Sequence, residues 1–215
     1  MPRLLLTRAR PQAEAFAAEV RAQTGLTVLI APMLEMRDLP VKVDLSGVSA
    51  LAFTSKNGVA AFVRRSSARL PAYCVGQATA DYASALGFDT RTADGSVESL
   101  RALLPKTGVL HLHGQHVAGA LGVPHIAIYE QVALPLAAEA LALLANGEVE
   151  AAALFSPRSA RLLAEYLPEN PPKLPVFYAL SPAVADPLSL FGAPRICPEP
   201  SAKAMIRLLS ADYPA

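Results

Sequence analysis

Apolar and polar positions along this chain alternate between two patterns. Short apolar runs are followed, after a turn, by stretches with helical spacing. RLLLT (3–7) is the first strand, and a helix follows from about Pro11 to near Gly25. Proline in the first turn and glycine past the last are the usual helix punctuation. TVLIAP (27–32), SALAFT (49–54), AYCVG (72–76), GVLHLH (108–113) and HIAIYE (125–130) read as further strands. AALFS, VFYALS and PRICP supply strands in the second half, and GSVESLRALL (95–104) and SAKAMIRLLS (201–210) read as helices opened by a serine cap. Strands alternating with helices predict parallel sheets covered on both faces. The dozen or so residues of 114–124 leave room for only a thin crossover. PENPPKLP (168–175) reads as a loop.

The pattern also repeats itself. SALAFTSKNGVAAFVRR (49–65) matches AAALFSPRSARLLAEYL (151–167), each an apolar run closed by a hydroxyl residue and followed at once by a helix. PAYCVGQATADYASALGF (71–88) and PVFYALSPAVADPLSLFG (175–192) form a second matched pair. A duplicated strand–turn–helix plan predicts two similar α/β halves with a small-molecule site between them.

Composition narrows the function classes. A chain of 215 residues has room for two domains, and its 53% hydrophobic content suffices for packed cores. The formal net charge of +1 argues against a nucleic-acid partner. MPRLLLTRARP is no secretory signal, and the greasiest segment (132–145) carries Pro135 and Glu139 and is too short to span a bilayer. Cys74 and Cys197 lie far apart without a CxxC, as in a cytoplasmic protein with buried thiols.

Candidate chemistry gathers where strands meet helices. Ser55, Ser156 and Ser181 stand at such junctions, and Thr79 lies in a first helical turn. Singly, each is a helix cap worth about 1 kcal/mol. Gathered at the carboxyl edges of two parallel sheets, such helix ends form sites for carboxylates or phosphates. Arg8 and Arg10 follow the first strand, Lys56 follows Ser55, and Arg158 stands two residues beyond Ser156, which fits an anionic ligand. His111, His113 and His116 raise a metal hypothesis because two of them share a strand face, but no Cys or carboxylate lies beside them. There is no GxGxxG, GxxxxGK[ST], GxSxG or HExxH, and Glu35, Asp38 and Asp44 are not paired for acid–base work.

LLLTRARP, TSKNGV, VGQATA, AIYEQ, FSPRSA and ALSPAVA, in that order and over nearly the whole chain, resemble the uroporphyrinogen-III synthase family. The resemblance implies two flavodoxin-like α/β parallel-sheet domains joined by two extended connector strands, with a ligand cleft between them. One domain would comprise 1–33 plus 133–215 and the other 36–129, with connectors near 30–36 and 126–134. It implies cyclisation of hydroxymethylbilane to uroporphyrinogen III, with loss of water and inversion of ring D through a spiro intermediate, without metal or organic cofactor. Tyr129 is the implied catalytic acid, and Arg8, Ser55, Lys56, Thr79, Ser156, Arg158 and Ser181 are the implied substrate-binding residues. A monomer is expected, in the cytoplasm and functionally coupled to hydroxymethylbilane synthase, with no nucleic-acid or membrane partner. Three departures stand out, the first being the shortened GQHVAGALGVP, which removes most of one helix. Val184 occupies a place where the family commonly has a hydroxyl residue, and Asn57 one where it has a basic residue. The competing readings are a noncatalytic two-domain binding protein, whether a degenerate synthase or a ligand-sensing module, and a two-domain glycosyltransferase.

Overall fold

The computed structural model describes residues 1–116, 119–168 and 172–215. The thin crossover at 114–124 and the loop at 168–175 therefore fall partly outside the described residues. The chain divides into two compact units, Met1–Glu35 with Ala133–Ala215, and Met36–Val132.

The first unit holds a five-stranded sheet. Its strands are β1 (Arg3–Leu6), β2 (Thr27–Ile30), β9 (Ala151–Leu154), β10 (Val176–Ala179) and β11 (Arg195–Ile196), in the order β11-β10-β9-β1-β2. The β1–β2, β1–β9, β9–β10 and β10–β11 pairings are all parallel. The period-2 alternation of strand side chains sends Leu4 and Leu6 to one face and Leu5 to the other. On the Leu4 face lie α1 (Arg10–Gln23) and α8 (Ala202–Asp212), whose buried Ala13, Phe16, Ala17 and Val20, and Ala204, Met205, Ile206 and Leu209, recur at helical spacing. On the Leu5 face lie α5 (Ala138–Ala145) and α6 (Pro157–Ala164). The alanines of β9 leave no bulk between the two layers. Tyr178, almost fully buried, donates to the Asp212 carboxylate, which also takes Arg195 at 2.5 Å, so the last helix is tied to β10 and β11.

The second unit holds a six-stranded sheet of β3 (Leu34–Asp38), β4 (Ala50–Phe53), β5 (Ala72–Cys74), β6 (Thr90–Thr92), β7 (Val109–Gly114) and β8 (His125–Ala133), in the order β3-β8-β7-β4-β5-β6. Leu51 and Phe53 face α2 (Lys56–Val63) and α3 (Gln77–Ala85), while Ala50 and Ala52 face α4 (Val97–Leu103). Phe53, Phe62 and Phe88 meet with ring centroids 5.9–6.2 Å apart in that first layer. Burying one such side chain is worth about 1.5–3 kcal/mol.

The predicted strands and capped helices are present, with three additions. The polar LEMRD forms β3, TRT forms the short β6, and a 3-10 helix spans Asp186–Phe191 beyond α7 (Pro182–Ala185). Strands β7 and β8 pair in parallel, with a register shift that pairs His113 with Ala127 but Gly114 with Tyr129. Ile128 is therefore the extra residue of a β-bulge. Both cysteines are free and buried. Among the described residues no helix is long and apolar enough to cross a membrane.

Candidate functional site

Each sheet reverses its strand order once, and Arg8, Ser55 and Ser156 follow strands that flank those points. In the first unit the chain runs outward in opposite directions from β1 and β9; in the second, from β4 and β7. Neighbouring loops diverge at such a switch point and leave a crevice beyond the strands' carboxyl ends, where open α/β sheets bind ligands.

In the second unit, Ser55 ends the β4 turn as the N-cap of α2, and its Oγ accepts from the Gly58 N–H at 3.1 Å. The same Oγ lies 2.8 Å from the Tyr129 hydroxyl on β8. Strict alternation after Ile126 and Ile128 would send Tyr129 to the opposite face. The bulge keeps it on the α2 side, packed half-buried against the same apolar cluster as Ile128. With its capping lone pair given to Gly58, Ser55 still has its own proton to donate to the phenol oxygen. The phenol proton is then free for another acceptor.

The remaining predicted residues of this unit are differently placed. Lys56 is exposed at the first position of α2. Thr79 is only 7% exposed in the first turn of α3, whose N-cap is Gly76 without a side-chain bond.

In the first unit, Arg8 follows β1 and lays its guanidinium over the Phe155 ring, 4.0 Å from the centroid. Burial lowers the pKa of Arg8 from the ordinary arginine value. Ser156, next after Phe155, is the N-cap of α6: its Oγ accepts from the Ser159 N–H at 3.1 Å and lies 2.7 Å from the Ser159 Oγ. Arg158 is half-buried in the same first turn. Ser181 begins α7 but makes no side-chain capping bond, unlike the capping role its position suggested. Arg10 turns outward to Glu14 at 3.5 Å, a surface i,i+4 pair. Thr7, which is 1% exposed, has a buried hydroxyl with no hydrogen-bond partner among the described residues.

Val184, noted for its missing hydroxyl, is 2% exposed and packs in the apolar core together with Ala160 and Leu163 of α6.

The histidines form a different set from the one expected. His111 and His113 share a strand face, with ring centroids 4.7 Å apart. Their third partner is His125 across the ladder, and His116 is exposed. His113 Nδ1 lies 2.6 Å from the Gly114 carbonyl oxygen and its Nε2 lies 3.0 Å from His125 Nδ1. The carbonyl can only accept, so His113 Nδ1 carries a proton and its Nε2 faces His125 Nδ1. His111 Nε2 lies 3.4 Å from the Thr54 hydroxyl, and burial, with His113 and His125 nearby, pushes its pKa down to about 4. Among the described residues no group of three His, Cys, Asp or Glu is placed to hold a metal ion.

Sequence reasoning reached Ser55, Tyr129, Arg8 and Ser156 but missed Phe155, Gly58, Gly114 and His125. Only Phe155 carried a local signal, as an aromatic at the end of a strand beside a switch point.

The chain is similar in fold to the uroporphyrinogen-III synthetase of Helicobacter pylori, with a TM-score of 0.70 at 19% identity over 98% of this chain and 99% of that one. A mutant uroporphyrinogen III synthase of the extremely thermophilic bacterium Thermus thermophilus gives a TM-score of 0.59 at 20% identity over 98% of each chain. No curated protein sequence matches the chain. The family model described as uroporphyrinogen-III synthase HemD matches residues 14–207, and the chain belongs to that family.

Proposed function

We infer that this protein is a uroporphyrinogen-III synthase, a hydro-lyase of porphyrin and haem biosynthesis. It closes hydroxymethylbilane into uroporphyrinogen III with loss of water and inversion of ring D. The observation that carries the reading is the family match over 14–207, and the Ser55–Tyr129 pair at a switch point gives it a chemical centre.

The substrate is a linear tetrapyrrole bearing acetate and propionate groups on its rings. Helix N-termini after β4, β5, β9 and β10 offer N–H groups and dipoles to such carboxylates, and Arg8, Lys56 and Arg158 add charge. Ser55, Thr79, Ser156 and Ser181 mark those helix starts.

Tyr129 transfers its phenolic proton to the terminal hydroxyl of the substrate, which leaves as water while the adjacent pyrrole donates the electron pair that breaks the carbon–oxygen bond. Ser55 donates to the resulting phenolate and stabilises it. Ring D attacks the resulting cation through its substituted α-carbon to give the spiro intermediate. Its old methylene bond then breaks and re-forms at the free α-carbon, and the proton released there restores the Tyr129 phenol. The electron-rich pyrrole needs little help to ionise, so the protein's main contribution is positioning that favours the inverted closure over the direct one. The protein acts as a monomer in the cytoplasm, where two buried unpaired thiols are at home, and receives its substrate from hydroxymethylbilane synthase.

The test is a coupled assay. With hydroxymethylbilane synthase supplying substrate, the protein shifts the product from the type I to the type III isomer. Product that stays type I with folded protein present rejects the assignment.

A further inference from the structure

The phenol of Tyr129 occupies a place that almost any other residue at position 114 would deny it. A Cβ built on Gly114 would stand 2.7 Å from Tyr129 Cε2, 2.8 Å from Cζ and 3.0 Å from the hydroxyl oxygen. The backbone at Gly114 does not take a positive φ, so nothing in its conformation demands glycine. What demands it is the ring lying on it.

The surroundings hold that peptide in place. The Gln115 N–H donates to the Tyr129 carbonyl at 2.8 Å, and the ladder bulge pairs Gly114 with Tyr129 directly. On the opposite face His113 Nδ1–H donates to the Gly114 carbonyl. A second glycine brings the phenol's partner close. A Cβ on Gly58 would stand 3.0 Å from the Leu112 carbonyl oxygen, so its absence lets the first turn of α2 settle onto β7 beside Gly114.

We propose that Gly114 is a positioning residue for the cyclisation: its bare backbone is the seat that holds the Tyr129 phenol on Ser55. The proposal rests on the reading of Tyr129 as the acid and adds what aims it. Gly114 touches no substrate in this account and acts through the ring alone.

The test is Gly114→Ala, with two readouts that a purely structural role would leave unmoved. With 3-fluorotyrosine in the protein, the Tyr129 fluorine resonance is identified by its loss in Tyr129→Phe, and it shifts in Gly114→Ala while those of the other tyrosines stay. Turnover falls several-fold to about a hundredfold, in kcat with little change in KM, as expected for a misplaced general acid. On a Tyr129→Ala background the same glycine change costs less than about twofold, because the ring it displaces is gone. If Gly114→Ala alone is too unstable to assay, adding Tyr129→Ala restores folding; failure to do so overturns the seat. An unmoved resonance, or an equal loss of rate on the Tyr129→Ala background, also overturns it. A moved resonance with Tyr129→Phe turning over at full rate rejects the acid role alone, so the two failures are told apart.

Discussion

Arg8 stands with its guanidinium carbon 4.0 Å from the centre of the Phe155 ring, and that ring meets Phe16 edge-on at 5.0 Å and 79°. The cation is thus held by a ring that is itself braced against α1. A stacked arginine of this kind gains about 0.5–2 kcal/mol and is pre-aimed, so its planar fork meets a carboxylate with little entropy to lose. Phe155→Leu removes the platform. We expect KM for hydroxymethylbilane to rise a few-fold to about thirtyfold with kcat nearly kept, measured by steady-state assay. An unchanged KM would mean that the placement of Arg8 is irrelevant to substrate.

Ser55 and Ser201 cap their helices alike, each accepting a backbone N–H at 3.1 Å, but only Ser55 also meets a tyrosine. Each change to alanine costs about 0.5–2 kcal/mol of stability by denaturant titration. Ser55→Ala in addition slows turnover a few-fold to about tenfold, since one hydrogen bond is worth about 0.5–1.5 kcal/mol. Equal kinetics in the two variants would reduce Ser55 to a cap.

Tyr129→Phe keeps the aromatic body on Gly114 and removes only the acidic proton. The rate should fall several-fold to about a hundredfold while the product remains type III and stability hardly moves. Product analysis on the folded variant decides the role. A switch to type I product would make Tyr129 a conformational gatekeeper instead of an acid.

Thr7 carries a buried hydroxyl with no partner among the described residues, which is costly in the folded state. Thr7→Val keeps the shape and removes the orphan, so the variant should be as stable as the parent or more so, by up to about 2 kcal/mol in denaturant titration. A loss of stability would show that the hydroxyl is satisfied in solution.

His111 is neutral in the folded protein, with its pKa near 4, against about 6.5 for an unfolded histidine. Above pH 6.5 neither state binds the proton and the residue has no effect. As the pH falls from 6.5 towards 4 the unfolded chain gains a proton that the folded one refuses, so stability declines through that window. The expected loss is on the order of 2–3 kcal/mol. His111→Gln should flatten that part of the stability profile measured across pH 4–7, and an unchanged slope would show that the charge is accommodated.

What sequence alone determined about this protein is what local forces decide. Apolar runs marked β1, β4, β7 and β9 because buried parallel strands need both faces apolar. Ser55, Ser96, Ser156 and Ser201 could be read as caps because a cap bond closes within three residues. The ordered motifs were enough to point to the family. Elements without local signals escaped notice: β6 is three residues long, and the 3-10 helix after α7 follows a stretch that reads like any turn. Only the tertiary structure paired Ser55 with Tyr129, residues 74 positions apart, because a one-residue bulge at Ile128 reverses which face the tyrosine takes. The same ladder chose His125 over His116 as the third histidine, since register across β7 and β8 rather than sequence spacing sets which rings meet. Glycines 58 and 114 were silent in the sequence because their function is the side chain they lack, visible only once their neighbours are in place.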